Sequence, residues 1–157
     1  MILSIDPGLT GAIALLSDAH TVKQIWDMPV MAANQGKGNI VNPYLLADIV
    51  KEAQESGANK AYIEAVHAMP SQGVSSSFKF GSTFGVLQGV VATVGLSMHF
   101  VTPQRWKKYH GLIGRDKDAA RTLAIQQFPE QTQNLKRKKD GGRADAIMIG
   151  QYGWSLI

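Results

Sequence analysis

Six residues into the chain, an apolar run, Ile2-Leu3-Ser4-Ile5, delivers a carboxylate, Asp6, into a Pro7-Gly8 turn. An acid at the end of a buried strand constrains a fold strongly. The sheet holds the backbone while the carboxylate oxygens reach past the open edge. Glu64 repeats the arrangement by closing the run Lys60-Ala61-Tyr62-Ile63, and Asp145 lies in the Arg143-Ala144-Asp145-Ala146 opening of the last apolar segment. If the two strands are neighbours, Asp6 and Glu64 stand side by side. Asp145 then enters from a third direction, in the first turn of a helix whose positive end favours it.

The 157 residues suit one domain, 1–157, with a substantial core. An apolar content of 45% with 18% charged residues is that of a soluble globular protein. Cysteine is absent, which excludes disulfides, iron–sulfur centres and thiolate-held zinc and is compatible with a reducing interior. The apolar start is interrupted by Asp6 too early for a membrane span or a signal peptide. The expected location is cytoplasmic, or the cytoplasm of a host cell, with no membrane partner. The net charge of +4 is unevenly spread: residues 103–143 carry eleven Lys and Arg against four acids. Such a basic field raises the local concentration of a polyanion and speeds encounter with it. Taken alone it is equally the mark of a solvated surface.

Hydrophobic patterning predicts strands over 1–6, 11–16 and 22–28, joined by turns short enough for an antiparallel meander. Residues 29–42 read as a mobile loop. Asn42-Pro43 then opens a helix to about residue 56, and 58–64 forms a strand added in parallel. A long helix is expected over 76–95, with Gly81, Gly85 and Gly89 on one face and Phe78, Phe80 and Phe84 near its start. Glycine costs an exposed helix about 1 kcal/mol each against alanine, so a stripe of three implies close approach to a sheet or another helix. A strand over 96–101 leads into a short helix with Thr102 as N-cap and Pro103 at its first position. A helix over 116–128 and a final one over 144–152 flank a charged, glycine-rich segment unsuited to a core.

Clustered carboxylates repel one another and retain protons. Hard divalent ions such as Mg2+ reverse that preference, because they favour ionised oxygen ligands. Two such ions roughly 4 Å apart are the usual solution for phosphodiester cleavage: one activates water and the other stabilises the leaving oxygen. The histidines His20, His67, His99 and His110 are scattered, which speaks against a zinc site, although His67 follows Glu64 by three residues. Each acid alone also reads as a surface or capping residue, and their joint placement is the informative feature.

These residues resemble the RuvC-type Holliday junction resolvases of the ribonuclease H-like superfamily, especially its small viral versions. The matching stretches are Ile5-Asp6-Pro7-Gly8-Leu9-Thr10-Gly11, Tyr62-Ile63-Glu64, Thr102-Pro103-Gln104-Arg105-Trp106-Lys107, residues 111–117 and Gly142-Arg143-Ala144-Asp145-Ala146, in an order that covers nearly the whole chain. The resemblance implies an α/β fold, a ribonuclease H-like mixed five-stranded sheet flanked by helices. It also implies a homodimer whose subunits each cut one strand of a four-way DNA junction.

Asp6 resembles the first-strand ligand, Glu64 the fourth-strand ligand and Asp145 the final acid. Lys117 resembles the family lysine before the penultimate helix, with Lys107 or Lys108 as a second basic contact. The Gly81/Gly85/Gly89 face matches a helix that contributes to the dimer contact, with packing on its own sheet as the competing reading. Many relatives carry an acid where this chain has Gly142, others an acid or histidine at Gly141; Asp140 is therefore expected to fold back as a fourth acid. If it points away, three acids must hold the metals with water and the phosphate. Phe78 or Phe80 would stack near the junction centre.

The resulting expectation is a Mg2+-dependent nuclease, with Mn2+ able to substitute and two ions per site, leaving 5′-phosphate and 3′-hydroxyl ends. Its catalytic and metal-binding acids are Asp6, Glu64, Asp140 and Asp145. Its DNA contacts are Arg105, Lys107, Lys108, Arg115, Lys117, Lys136, Arg137, Lys138, Lys139 and Arg143, with residues 66–77 near the crossover. The rivals are an RNase H-like hybrid or flap nuclease using the same acids, and a non-catalytic junction-binding protein. A likeness of the Asp6–Gly11 stretch to the phosphate loop of actin-like sugar kinases fails on length, because there is no room for a second lobe.

Overall fold

The computed structural model of the chain describes residues 1–33, 38–65 and 73–157. His67 and most of the expected crossover segment lie outside these residues. The first three strands are β1 (Ile2–Ile5), β2 (Ala12–Asp18) and β3 (Thr21–Asp27), and they form the expected antiparallel meander. Within the stretch read as a loop, two short strands, β4 (Val30–Ala32) and β5 (Asn39–Val41), pair with each other as a separate ribbon. Local turn residues masked that pairing from the sequence reading.

Helix α1 (Pro43–Glu55) starts where Asn42 caps it, its side chain accepting from Tyr44 N at 3.1 Å and Leu45 N at 3.2 Å. It is followed by β6 (Lys60–Glu64), α2 (Val74–Val94), β7 (Ser97–Val101) and α3 (Pro103–Tyr109), then α4 (Ala119–Gln127) and α5 (Gly141–Trp154). Thr102 makes no side-chain capping bond to α3. β6 adds in parallel beside β1, and β7 in parallel beside β6, giving one mixed five-stranded sheet in the order β3-β2-β1-β6-β7.

The period-two alternation of strands decides the layers. Leu3, Ile5 and Ile63 face Leu46 and Val50 of α1 and Leu87 and Val91 of α2. Ile2 and Tyr62 face the other way, toward Trp106 of α3 and Ile147 and Met148 of α5. Ser4 lies on that second face, fully buried, and its hydroxyl donates to the Ala146 carbonyl at 2.7 Å. Asp6 and Glu64 continue the same alternation, which directs them to the α5 side.

The glycines that permit close packing are in α5 rather than α2. A Cβ on Gly150 would lie 2.5 Å from Leu16 Cδ1 and 2.7 Å from Ser4 Oγ. On Gly142 it would collide with the Thr10 carbonyl and stand 2.8 Å from Gly11 Cα. By contrast, Gly81, Gly85 and Gly89 are exposed, with nothing within 4 Å of the space a Cβ would fill. Packing of that stripe on its own sheet is therefore ruled out.

Candidate metal and nucleic-acid site

In the parallel pairing of β1 with β6, Ile5 stands opposite Ile63, so Asp6 and Glu64 leave adjacent strand ends together. Asp6 N donates to the Ala12 carbonyl at 3.0 Å, which ties the acid's backbone to β2. Its Oδ1 accepts weakly from Gly8 N at 3.4 Å in the Pro7-Gly8 turn. Asp145 arrives from α5, whose first turn is pressed against the Thr10–Gly11 backbone at Gly142. The helix starts at Gly141 rather than 144, so Asp145 is its fifth residue and sits beyond the first turn. The N-terminal partial charge expected to favour it has largely faded there.

The electrostatics follow from this convergence. Burial, then the neighbouring Glu64 charge, push the Asp6 carboxyl up to about 6. Burial and the charges of Asp6 and Glu64 push Asp145 up to about 7. Glu64 is raised chiefly by burial, against the pull of a hydrogen bond from Trp106 Nε1 to its Oε1 at 2.8 Å. The Lys107 ammonium opposes the rise at all three acids.

Among the described residues, no group of three His, Cys, Asp or Glu already stands in an ion-holding arrangement. The carboxylates are close enough to feel one another without being drawn into a ligand shell. Their donor chemistry is all oxygen, ionisable and mutually repulsive, which fits a hard divalent cation. Such an ion would favour their ionised forms, against the burial that raises all three.

Asp6 and Asp145 line one end of an open cavity of about 590 Å3 whose other walls include Lys107, Arg115, Lys117, Lys138 and Lys139. Thr10 and Asp116 also line it, and neither was singled out from sequence. Arg105 and Lys108 are exposed on α3 away from this wall, and Lys136 likewise does not line it. The charged segment before α5 folds as two short 3-10 turns, over Pro129–Leu135 and Lys138–Asp140. It contributes Leu135 to the core, contrary to its polar composition.

Several expected site residues are engaged elsewhere. Asp140 is buried, but Arg137 takes both of its oxygens: Nη2 donates to Oδ1 at 2.7 Å, and the Arg137 backbone N donates to Oδ2 at 2.8 Å. These bonds hold its carboxyl below the usual range, and neither Asp6 nor Asp145 feels its charge appreciably. Asp140 is thus separate from the acid cluster, and it clamps the turn that presents Lys138 and Lys139. Arg143 is likewise committed, donating to Asp27 at 2.6 and 2.7 Å and to the Asn134 carbonyl at 3.1 Å.

Gly142 has no room for any side chain because a Cβ there would meet the Thr10 carbonyl, which excludes an acid at this position. Phe78 is largely exposed and Phe80 half-buried, beside the β4–β5 ribbon rather than the cavity. Among the described residues, Trp106 also contacts the acids, at Glu64, a role that sequence reasoning did not give it. Its signal was a tryptophan directly ahead of Lys107, just past a strand end.

No protein-family model matches the chain. It is 35% identical over 157 aligned residues, 84% of its length, to the chloroplast Holliday junction resolvase MOC1 of Chlamydomonas reinhardtii. The chain spans 17%, about a sixth, of that protein's length. Among solved structures, Thermus thermophilus RuvC superposes with a TM-score of 0.57 at 13% identity, covering 96% of this chain and 91% of that one. The T. thermophilus RuvC chain in complex with a Holliday junction substrate gives 0.56 at 10% identity, over 99% and 96%. Sheet order, helix placement and these superpositions show that the chain has the fold of RuvC, a mixed five-stranded sheet flanked by helices, and its sequence is similar to a segment of a chloroplast Holliday junction resolvase.

Proposed function

We propose that this chain is a structure-selective endodeoxyribonuclease that resolves four-way DNA junctions by divalent-metal-dependent phosphodiester hydrolysis. The observation that carries the reading is the convergence of Asp6, Glu64 and Asp145, from the ends of β1 and β6 and from α5, where Asp6 and Asp145 line a cavity walled by lysines and arginine. The names of the chloroplast resolvase and of RuvC bound to a junction support the choice of substrate.

Asp6, Glu64 and Asp145 would hold the metal. When bound, Mg2+ or Mn2+, two per site, supplies charge neutralisation and an activated water. Lys107 already tempers the acids' mutual repulsion. Arg115, Lys117, Lys138 and Lys139 bind phosphates, which positions the duplex arms without reading bases. A four-way junction must be cut twice at related positions, so the working unit is a homodimer. The exposed Gly81/Gly85/Gly89 face of α2 is available for that pairing.

The test is a cleavage assay on labelled four-way, Y-shaped, flap and RNA–DNA hybrid substrates, with every cut mapped. Paired, symmetric, metal-dependent nicks confined to the four-way substrate are expected, leaving 5′-phosphate ends that a ligase can seal. Dominant cutting of the hybrid or the flap would overturn the substrate assignment. Tight junction binding without turnover would make the chain a binding protein.

A further inference from the structure

Trp106 is fully buried, and its indole N–H has no function as an acceptor, so a core position obliges it to find an oxygen. The oxygen it finds is Glu64 Oε1, at 2.8 Å. The fold brings the two together directly. β7 runs parallel to β6 with Val101 opposite Glu64, and the chain then turns through Thr102-Pro103 into α3, carrying Trp106 over the end of β6.

We infer that Trp106 is a positioning residue: its N–H fixes the orientation of the Glu64 carboxylate and keeps it ready to serve as a metal ligand. The inference rests on the metal-dependent reading above. A group that only donates is matched to a carboxylate oxygen, which only accepts when ionised. It also engages one lone pair of Oε1 and so limits the rotamers open to the side chain. Lys107, the next residue, lies with its ammonium 5.3 Å from the Trp106 ring centroid and extends to the cavity wall. The two neighbours thus both act on Glu64, one by a hydrogen bond and the other by charge. Partners that hydrogen-bond metal ligands typically govern affinity by about 10–100-fold.

The experiment follows the indole N–H itself. In 15N-labelled protein, the Trp106 resonance is identified by elimination with Trp26→Phe and Trp154→Phe, and Mg2+ is titrated without DNA while calorimetry records binding. A saturable shift of the Trp106 N–H that tracks the calorimetric isotherm is expected. Saturable Mg2+ binding with that resonance unmoved overturns the role of Trp106. Absence of saturable binding overturns the metal-dependent reading beneath it. Trp106→Phe, which removes the donor and keeps a ring, should raise the Mg2+ concentration for half-maximal binding by about 10–100-fold. Its junction affinity in metal-free buffer should stay at the wild-type value. Unchanged Mg2+ affinity in the folded variant counts against the inference.

Discussion

Asp6 and Glu64 stand side by side because Ile5 and Ile63 are partners in a parallel ladder, so two strands separated by more than fifty residues end together. The acids share a face with Ser4 and Tyr62, toward α5, and Asp145 closes the group from that helix. Close approach of α5 at Gly142 and Gly150 is what brings its acid within electrostatic reach of the strand ends.

Removing one member tests whether the group works as a unit. Asp6→Asn should retain junction binding and lower the metal-dependent cutting rate by about 100-fold or more, since loss of even an outer partner of a metal ligand costs about 10–100-fold. Gel-shift titration and single-turnover cleavage, run in parallel, separate the two properties. Near-normal cutting would remove Asp6 from the site.

The raised carboxyls make stability depend on pH in a defined direction. Asp6 at about 6 and Asp145 at about 7 lie above their ordinary value of 3.8, so the folded state binds more protons than the unfolded one across that window. Their contribution favours folding most below the ordinary value and is lost as pH rises through about 6 and then about 7, the two acids titrating as a coupled pair. In metal-free buffer the unfolding midpoint should therefore receive a falling contribution between about pH 4 and about pH 7, reduced in Asp145→Asn to the part that Asp6 supplies. Mg2+ binds the ionised form, so the midpoint rise it produces should be larger at about pH 8 than at about pH 5. Differential scanning fluorimetry across pH, with and without Mg2+, measures both trends.

Two glycine substitutions should have opposite outcomes. Gly142→Ala forces a methyl into the Thr10 carbonyl and should destabilise the fold by about 1–3 kcal/mol in urea unfolding. Gly85→Leu meets open space on an exposed helix and should leave the monomer unchanged or more stable by up to about 1 kcal/mol. If the α2 stripe is the dimer contact, the same Gly85→Leu chain should lose self-association in analytical ultracentrifugation.

The basic segment divides into side chains that face the cavity and side chains that hold the turn. Replacing Lys138 and Lys139 by Gln should weaken junction binding and reduce its salt slope by about 1 for each phosphate left without its cation. Asp140→Asn releases Arg137 from its carboxylate and should weaken junction binding as well, by loosening the turn, with Mg2+ affinity unchanged. A large loss of Mg2+ binding in Asp140→Asn would return that acid to the metal site.

The chain's own patterning determined a good deal. Apolar runs bounded by turn residues announced the meander, the parallel additions and the acids at strand ends, because period-two burial and turn chemistry are local properties. The Asn42 cap and Pro43 marked the start of α1 for the same reason. What local pattern could not decide was which oxygens meet which donors. Asp140 and Asp145 are five residues apart and equally acidic, yet the turn folds one onto Arg137 and presents the other to Asp6. Arg143 and Lys139 carry the same charge, but β3 brings Asp27 against only the arginine. The α2 glycines advertised close packing by their spacing, whereas those that needed it were in α5, where Leu16, Ser4 and Thr10 leave no space for a Cβ. Trp106 acquired its partner only when β7 paired beside β6. Long-range pairing sets these distances, and so the tertiary structure alone decided the company kept by Asp6 and Glu64.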